Sequence, residues 1–140
     1  MTELSIQFHA ECEFTLTDSS NRSDWLADIA KEEGRSIELI NYIFCDDEYL
    51  HKINLEFLSH DNYTDIITFD YGLGKTLVSD IFVSVERVQE NANEFKTSFD
   101  DELDRVLAHG VLHLCGYKDK SPEDLGLMRE KENYYLSLRA

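Results

Sequence analysis

Positive charge is scarce in this chain. Its 140 residues carry 13 Lys and Arg against 29 Asp and Glu, a formal net charge of −16. A general nucleic-acid coat is basic, so that class is excluded. Any work on RNA must draw on a local basic patch, on metal ions or on a partner protein. Long apolar runs are also missing: none approaches the roughly 20 residues of a membrane-spanning helix. Met1 to His9 alternate polar and apolar residues and lack the basic-then-apolar pattern of a secretory signal, so a cytoplasmic location is expected. Cysteine is sparse, with Cys12, Cys45 and Cys115 odd in number and widely spaced. Reduced thiols are therefore expected, not a disulfide framework, and Cys115 reads as a small buried filler. Internal repeats, low-complexity segments and linkers are lacking. What remains is a composition of 42% hydrophobic and 30% charged residues, that of a globular protein. One domain over residues 1–140 is expected, long enough to bury a core.

Apolar residues occupy the even positions Leu4, Ile6, Phe8, Ala10, Cys12, Phe14 and Leu16. That period of two predicts a half-buried strand, too long to run without a bend or a break. Ser23 is a candidate cap for a helix that buries Trp25, Leu26, Ile29 and Ala30 and stops at Gly34. A strand over Ile37 to Phe44 follows, then a helix capped by Asp46 with Tyr49, Leu50, Ile53 and Phe57 on one face. Thr64 to Phe69 and Leu77 to Val83 are β-rich and predict a hairpin. Val85, Val88, Ala92 and Phe95 recur at helical spacing. Asp100 can cap a further helix, whose stripe of Leu103, Leu107, Gly110 and Leu114 is widened by Val106, Val111 and Leu112. The lone proline stands in Ser121-Pro122-Glu123-Asp124, a strong helix start. The order β-α-β-α-β-β-α-α-α predicts an α/β fold: a single layered domain in which a small mixed β-sheet is packed with several helices.

The chemistry concentrates in His109-Gly110-Val111-Leu112-His113-Leu114-Cys115-Gly116-Tyr117-Lys118-Asp119. Residues four apart share one helix face, with Cβ atoms roughly 5–6 Å apart, so His109 and His113 can converge on one ion. Gly116 can take the left-handed conformation that ends a helix, and the reversing chain can return Asp119 as a third ligand. Two imidazoles, a carboxylate and a vacant position make the ligand set of a catalytic zinc site. Such an ion lowers the pKa of bound water and polarises carbonyl or phosphoryl oxygens, so His109, His113 and Asp119 are the expected metal-binding and catalytic residues of a hydrolase. The spacing matches H-E-x-x-H-x-x-G-x-x-H/D of metzincin-type proteases, but Gly110 stands where the peptidase base would be.

His-Gly-Val-Leu-His-Leu-Cys-Gly-Tyr also resembles H-G-x-L-H-L-x-G-Y-D-H of the YbeY family of endoribonucleases and rRNA maturation factors. Asn54 to Phe69, with Thr64-Asp65-Ile66-Ile67-Thr68-Phe69, resembles the family's L-N-x-x-F/Y-R and T-D/N-V-L-S-F blocks. Ser79-Asp80-Ile81-Phe82-Val83-Ser84 resembles its G-D-I-x-I-S. The three blocks stand in family order from Asn54 to Asp119. The resemblance implies a cytosolic, metal-dependent, single-strand-specific endoribonuclease acting in rRNA maturation and ribosome quality control. It implies one divalent ion, zinc by ligand type, with His109 and His113 as ligands. It implies rRNA and the small ribosomal subunit or a ribosomal protein as partners, and neither DNA nor a membrane.

Two departures stand out. Asp119 falls where the family has a third histidine, a reasonable exchange for zinc. Leu58 falls where the family has an arginine able to bind phosphate or transition-state charge. His60, Arg105, Lys118 and Lys120 are the candidates to replace that charge. Asp65 and Asp80 are either acceptors or bases at the site, or exposed strand-end acids. Tyr117 is expected to pack the turn after Gly116. Arg129, Lys131 and Arg139 of the last helix read as a solvated face among acids. Two other functions stay open: a ribosome-assembly factor with a structural metal, and a small zinc peptidase.

Overall fold

A computed structural model describes residues 5–59 and 63–139. Its elements run β1 (Ile6–Ala10), α1 (Ser19–Glu32), β2 (Ser36–Cys45), α2 (Asp47–Leu58), β3 (Ile66–Asp70), β4 (Thr76–Ser84), α3 (Val85–Phe95), α4 (Phe99–Leu114) and α5 (Pro122–Leu136). The strands form one mixed sheet in the order β1-β2-β4-β3. β1, β2 and β4 are parallel, and β3 pairs antiparallel with β4 as the expected hairpin. This is the α/β layered fold that the pattern of elements predicts.

Strand alternation sends the residues of β4 to two different layers. Leu77, Ile81 and Val83 join Ile40, Tyr42 and Phe44 of β2 against α1 and α4, forming the main core. Cys45, Leu50 and Ile67 pack with Phe69 and Phe82 on the other face, beneath α2. Tyr42 is fully buried and its hydroxyl donates to the Leu107 carbonyl at 2.8 Å, tying the sheet to α4. α5 lies on α4 through Met128 and Tyr135, and its Tyr135 carbonyl accepts from Trp25 Nε1 of α1 at 2.8 Å. The three cysteines are free thiols, and burial pushes Cys115 up to about 11, as suits a filler. Among the described residues no helix is long and apolar enough to cross a membrane.

The expected break in the first strand is present, and two helix starts differ from those expected. β1 stops at Ala10 and the chain bends over residues 11–13, while Phe14 and Leu16 still pack on the core. Leu4, the first residue of the expected strand, lies outside the described residues. α1 begins at Ser19, not after Ser23, with Asp18 as an N-cap that makes no side-chain cap bond. Its first turn is instead anchored by Arg22, buried and donating to Asp104 at 2.8 Å, a partner 82 residues away. α4 is capped by Ser98, whose Oγ accepts from Asp101 N at 3.0 Å. Asp100, the expected cap, sits in the first turn with Asp101 and Glu102, where acids complement the helix dipole.

Candidate metal and catalytic site

α4 presents His109 and His113 one turn apart, with ring centres 5.9 Å from each other. Between them Gly110 faces inward. A Cβ there would stand 3.1 Å from Ile81 Cδ1 and 3.2 Å from Ile66 Cδ1, so the glycine lets α4 press onto the sheet. A side chain at 110 would enter the core instead of the site, so position 110 itself has no place for a peptidase base. α4 ends at Leu114, and two residues on Gly116 has a φ of +104°, a backbone conformation that favours glycine. The turn carries Asp119 back until its Oδ2 is 3.0 Å from His109 Nε2.

The other nitrogens of both rings are held. His109 Nδ1 donates to Glu132 Oε2 at 2.8 Å, and His113 Nδ1 donates to the Tyr117 carbonyl at 2.8 Å. A carbonyl oxygen only accepts, so the His113 proton sits on Nδ1. Burial works against an ionised Glu132, but its bonds from His109 and Arg105 outweigh this and hold its pKa below the ordinary range. Glu132 is therefore an acceptor as well. Both neutral rings offer Nε2, as ligand histidines do when the second nitrogen is tied down. Burial also opposes charge on His109, yet Glu132, Asp119 and Asp65 outweigh it and raise its pKa. Nε2 and the Asp119 oxygen thus face each other across a place that a proton or a cation fills.

That donor chemistry fits a zinc-type ion. The closed three-ligand arrangement is not present: among the described residues, no three His, Cys, Asp or Glu side chains stand in metal-holding geometry. His109 and Asp119 are brought together, while His113 is exposed and the one described hydrogen bond of its ring goes to the Tyr117 carbonyl.

Asp65 and Asp80 separate cleanly. Asp80 shares a sheet face with Phe82, the side covered by α2, and accepts from Asn41 at 3.2 Å, so it is not a site residue. Asp65 precedes β3 and lines a cavity of about 230 Å³ together with His109, Glu102, Arg105, Arg129 and Glu132. Burial raises its pKa, partly offset by His109, and Asn91 Nδ2 donates to its Oδ2 at 3.3 Å. Burial and then Asp65 raise the pKa of Glu102, against Arg105 and Arg129.

Of the candidate replacement cations, Arg105 forks onto Glu132 at 2.9 Å and Asn133 Oδ1 at 2.8 Å. Lys118 and Lys120 are exposed on either side of Asp119. His60 lies outside the described residues. Leu58 is 40% exposed at the end of α2. Tyr117 packs the turn as expected, donating to Glu33 at 2.8 Å.

Glu132 was absent from the expected site. α5 is not simply a solvated face, because Met128, Glu132 and Tyr135 are buried along one side. Their spacing of i, i+4, i+7 is a helical stripe with an acid at its centre, which was the available signal.

With fold and site in view, the class is defined by comparison. The family described as Endoribonuclease YbeY matches residues 7–139. The chain belongs to that family. It is 56% identical over 133 residues to the Endoribonuclease YbeY of Flavobacterium johnsoniae, covering 95% of this chain and 96% of that protein. It is 53% identical over 138 residues to that of Christiangramia forsetii, covering 99% and 96%. The solution structure of TM1509 from Thermotoga maritima superposes with a TM-score of 0.66 at 30% identity, covering 94% of this chain and 87% of that one.

Proposed function

We propose that this protein is a metal-dependent endoribonuclease that cuts single-stranded RNA during rRNA maturation and ribosome quality control in the cytoplasm. The observation that carries the reading is His109 clamped between two carboxylates, Glu132 on Nδ1 and Asp119 on Nε2, in a chain of an endoribonuclease family.

His109, His113 and Asp119 would hold the ion. When bound, a zinc-type ion supplies an acidified water and positive charge for a phosphoryl oxygen. The protein's own groups do the rest. Glu132 and the Tyr117 carbonyl keep the Nδ1 protons in place so that both rings offer Nε2. Asp65 is the candidate base, since Asn91 occupies its Oδ2 and leaves Oδ1 to take a proton. The acidic surface repels phosphates, so recognition relies on the small ribosomal subunit or one of its proteins for positive charge.

The test compares cleavage of free rRNA fragments, small ribosomal subunits and unstructured peptides by metal-loaded protein, with a chelator control. Chelator-sensitive cleavage that is faster in the subunit, with peptides intact, is expected. Ribosome binding without RNA cleavage would favour an assembly factor with a structural metal, the reading that Leu58 supports. A 2′,3′-cyclic phosphate on the product would show that the ribose 2′-hydroxyl attacked.

A further inference from the structure

Glu102 is the buried acid that the proposed reaction leaves unused. It is only 6% exposed, and its carboxylate makes no hydrogen bond or ion pair with any other described residue. Buried carboxylates are ordinarily paired. Among the described residues, the one buried side-chain nitrogen or oxygen sealed off without a partner is Arg87 Nε. The Glu102 oxygens therefore keep accessible surface, and Glu102 lines a cavity of about 230 Å³ together with His109.

The cavity's chemistry narrows its occupant. Ile66, Val106 and Phe95 give it apolar lining, and Phe95 is 58% exposed. Arg105 and Arg129 line the same space, which disfavours a second cation. The volume is many times the roughly 30 Å³ share of one water, so it suits a ring better than an ion. A flat ring with apolar faces and N–H donors on its edge matches this lining, and single-stranded RNA is read by stacking bases on aromatics and bonding their edges. An ionised carboxylate only accepts, and guanine is the RNA base that offers two adjacent donors, N1–H and N2–H. We propose that this cavity is a guanine subsite for single-stranded RNA, with the Glu102 carboxylate accepting from N1–H and N2–H and Phe95 stacking on the base. The proposal rests on the endoribonuclease reading for its substrate, and it places a guanosine beside His109. A neighbouring pocket of about 440 Å³ shares Phe95, Glu102, Arg105 and Arg129 and adds Arg139, giving the strand a path onward.

The test titrates 5′-GMP, AMP, CMP and UMP into the full chain by NMR. GMP should bind about tenfold more tightly than the other three, the discrimination expected of one bidentate contact. Glu102→Gln keeps one acceptor oxygen but sets an amide N–H₂ against a guanine donor and should abolish the preference, with circular dichroism reporting its fold. Phe95→Ala removes an exposed ring and should weaken all four nucleotides alike. Equal binding of the four, or a preference that survives Glu102→Gln, would overturn the subsite. So would Mn²⁺ binding that is lost in Glu102→Gln while no nucleotide binds. Cleavage of RNAs carrying a single guanine separates the two readings. Guanine binding without cleavage would keep the subsite and remove the nuclease. Cleavage indifferent to guanine and to Glu102→Gln would keep the nuclease and remove the subsite.

Discussion

His109 Nδ1 and Glu132 Oε2 meet at 2.8 Å across the α4–α5 contact, and Glu132 at 4% exposure is the more buried of the two. Glu132 also takes Arg105 at 2.9 Å, so a single carboxylate orients a ligand imidazole and neutralises a guanidinium. Glu132→Ala leaves both partners without it. The expected cost is about 3–5 kcal/mol of stability, that of breaking a buried pair, read by urea unfolding. Glu132→Gln keeps an acceptor oxygen and the shape, and should weaken metal binding about 10–100-fold in a chelator competition. Unchanged affinity in Glu132→Gln would show that the carboxylate does not tune the ligand.

The same pair sets a pH window for the metal-free protein. Glu132 has its pKa lowered from an ordinary 4.5, so its contribution is full above 4.5 and is lost as pH falls through the depressed value. His109 has its pKa raised from an ordinary 6.5, so its contribution is full below 6.5 and is lost as pH rises through the raised value. Wild type should therefore exceed Glu132→Gln in stability most clearly between pH 4.5 and 6.5. Denaturant midpoints measured across pH check this. A difference that grows above the His109 value would contradict it.

Gly110 lies against Ile66 and Ile81, so Gly110→Glu buries an unpaired charge in the core. Destabilisation of about 3–5 kcal/mol is expected, with no gain of peptidase activity. A stable Gly110→Glu protein that cleaves peptides would revive the protease reading.

Asp119 has a side chain 31% exposed on a surface turn, so Asp119→Ala should leave the core intact while weakening metal binding. Metal analysis beside thermal unfolding separates the two effects. Unchanged metal content would remove Asp119 from the ligand set.

The parts of the site that were legible in the sequence are local ones. His109, His113, Gly116 and Asp119 fall within one helix and its exit turn, and this local spacing brings Asp119 back to His109, although no three-ligand cluster forms among the described residues. The hairpin of β3 and β4 and the cap at Ser121 were readable for the same reason. Glu132 was not, because it reaches His109 from another helix 23 residues away. The start of α1 was misplaced because Arg22 answers to Asp104 across the fold, whatever its neighbours in sequence. Asp65 and Asp80 look alike as strand-end acids, but Asp80 is paired within the sheet opposite Phe69 on the α2 face, whereas Asp65 lies just before β3, free of the strand's alternation, and lines the cavity.

The most direct measurement of the central claim is metal add-back. Protein stripped by chelator and dialysed should be inert on single-stranded RNA. Stepwise addition of Zn²⁺ or Mn²⁺ should restore cleavage in proportion to bound ion and level off near one ion per chain, and His113→Ala should recover neither binding nor cleavage. RNA cleavage at full rate by the stripped protein, or by His113→Ala, would contradict the account.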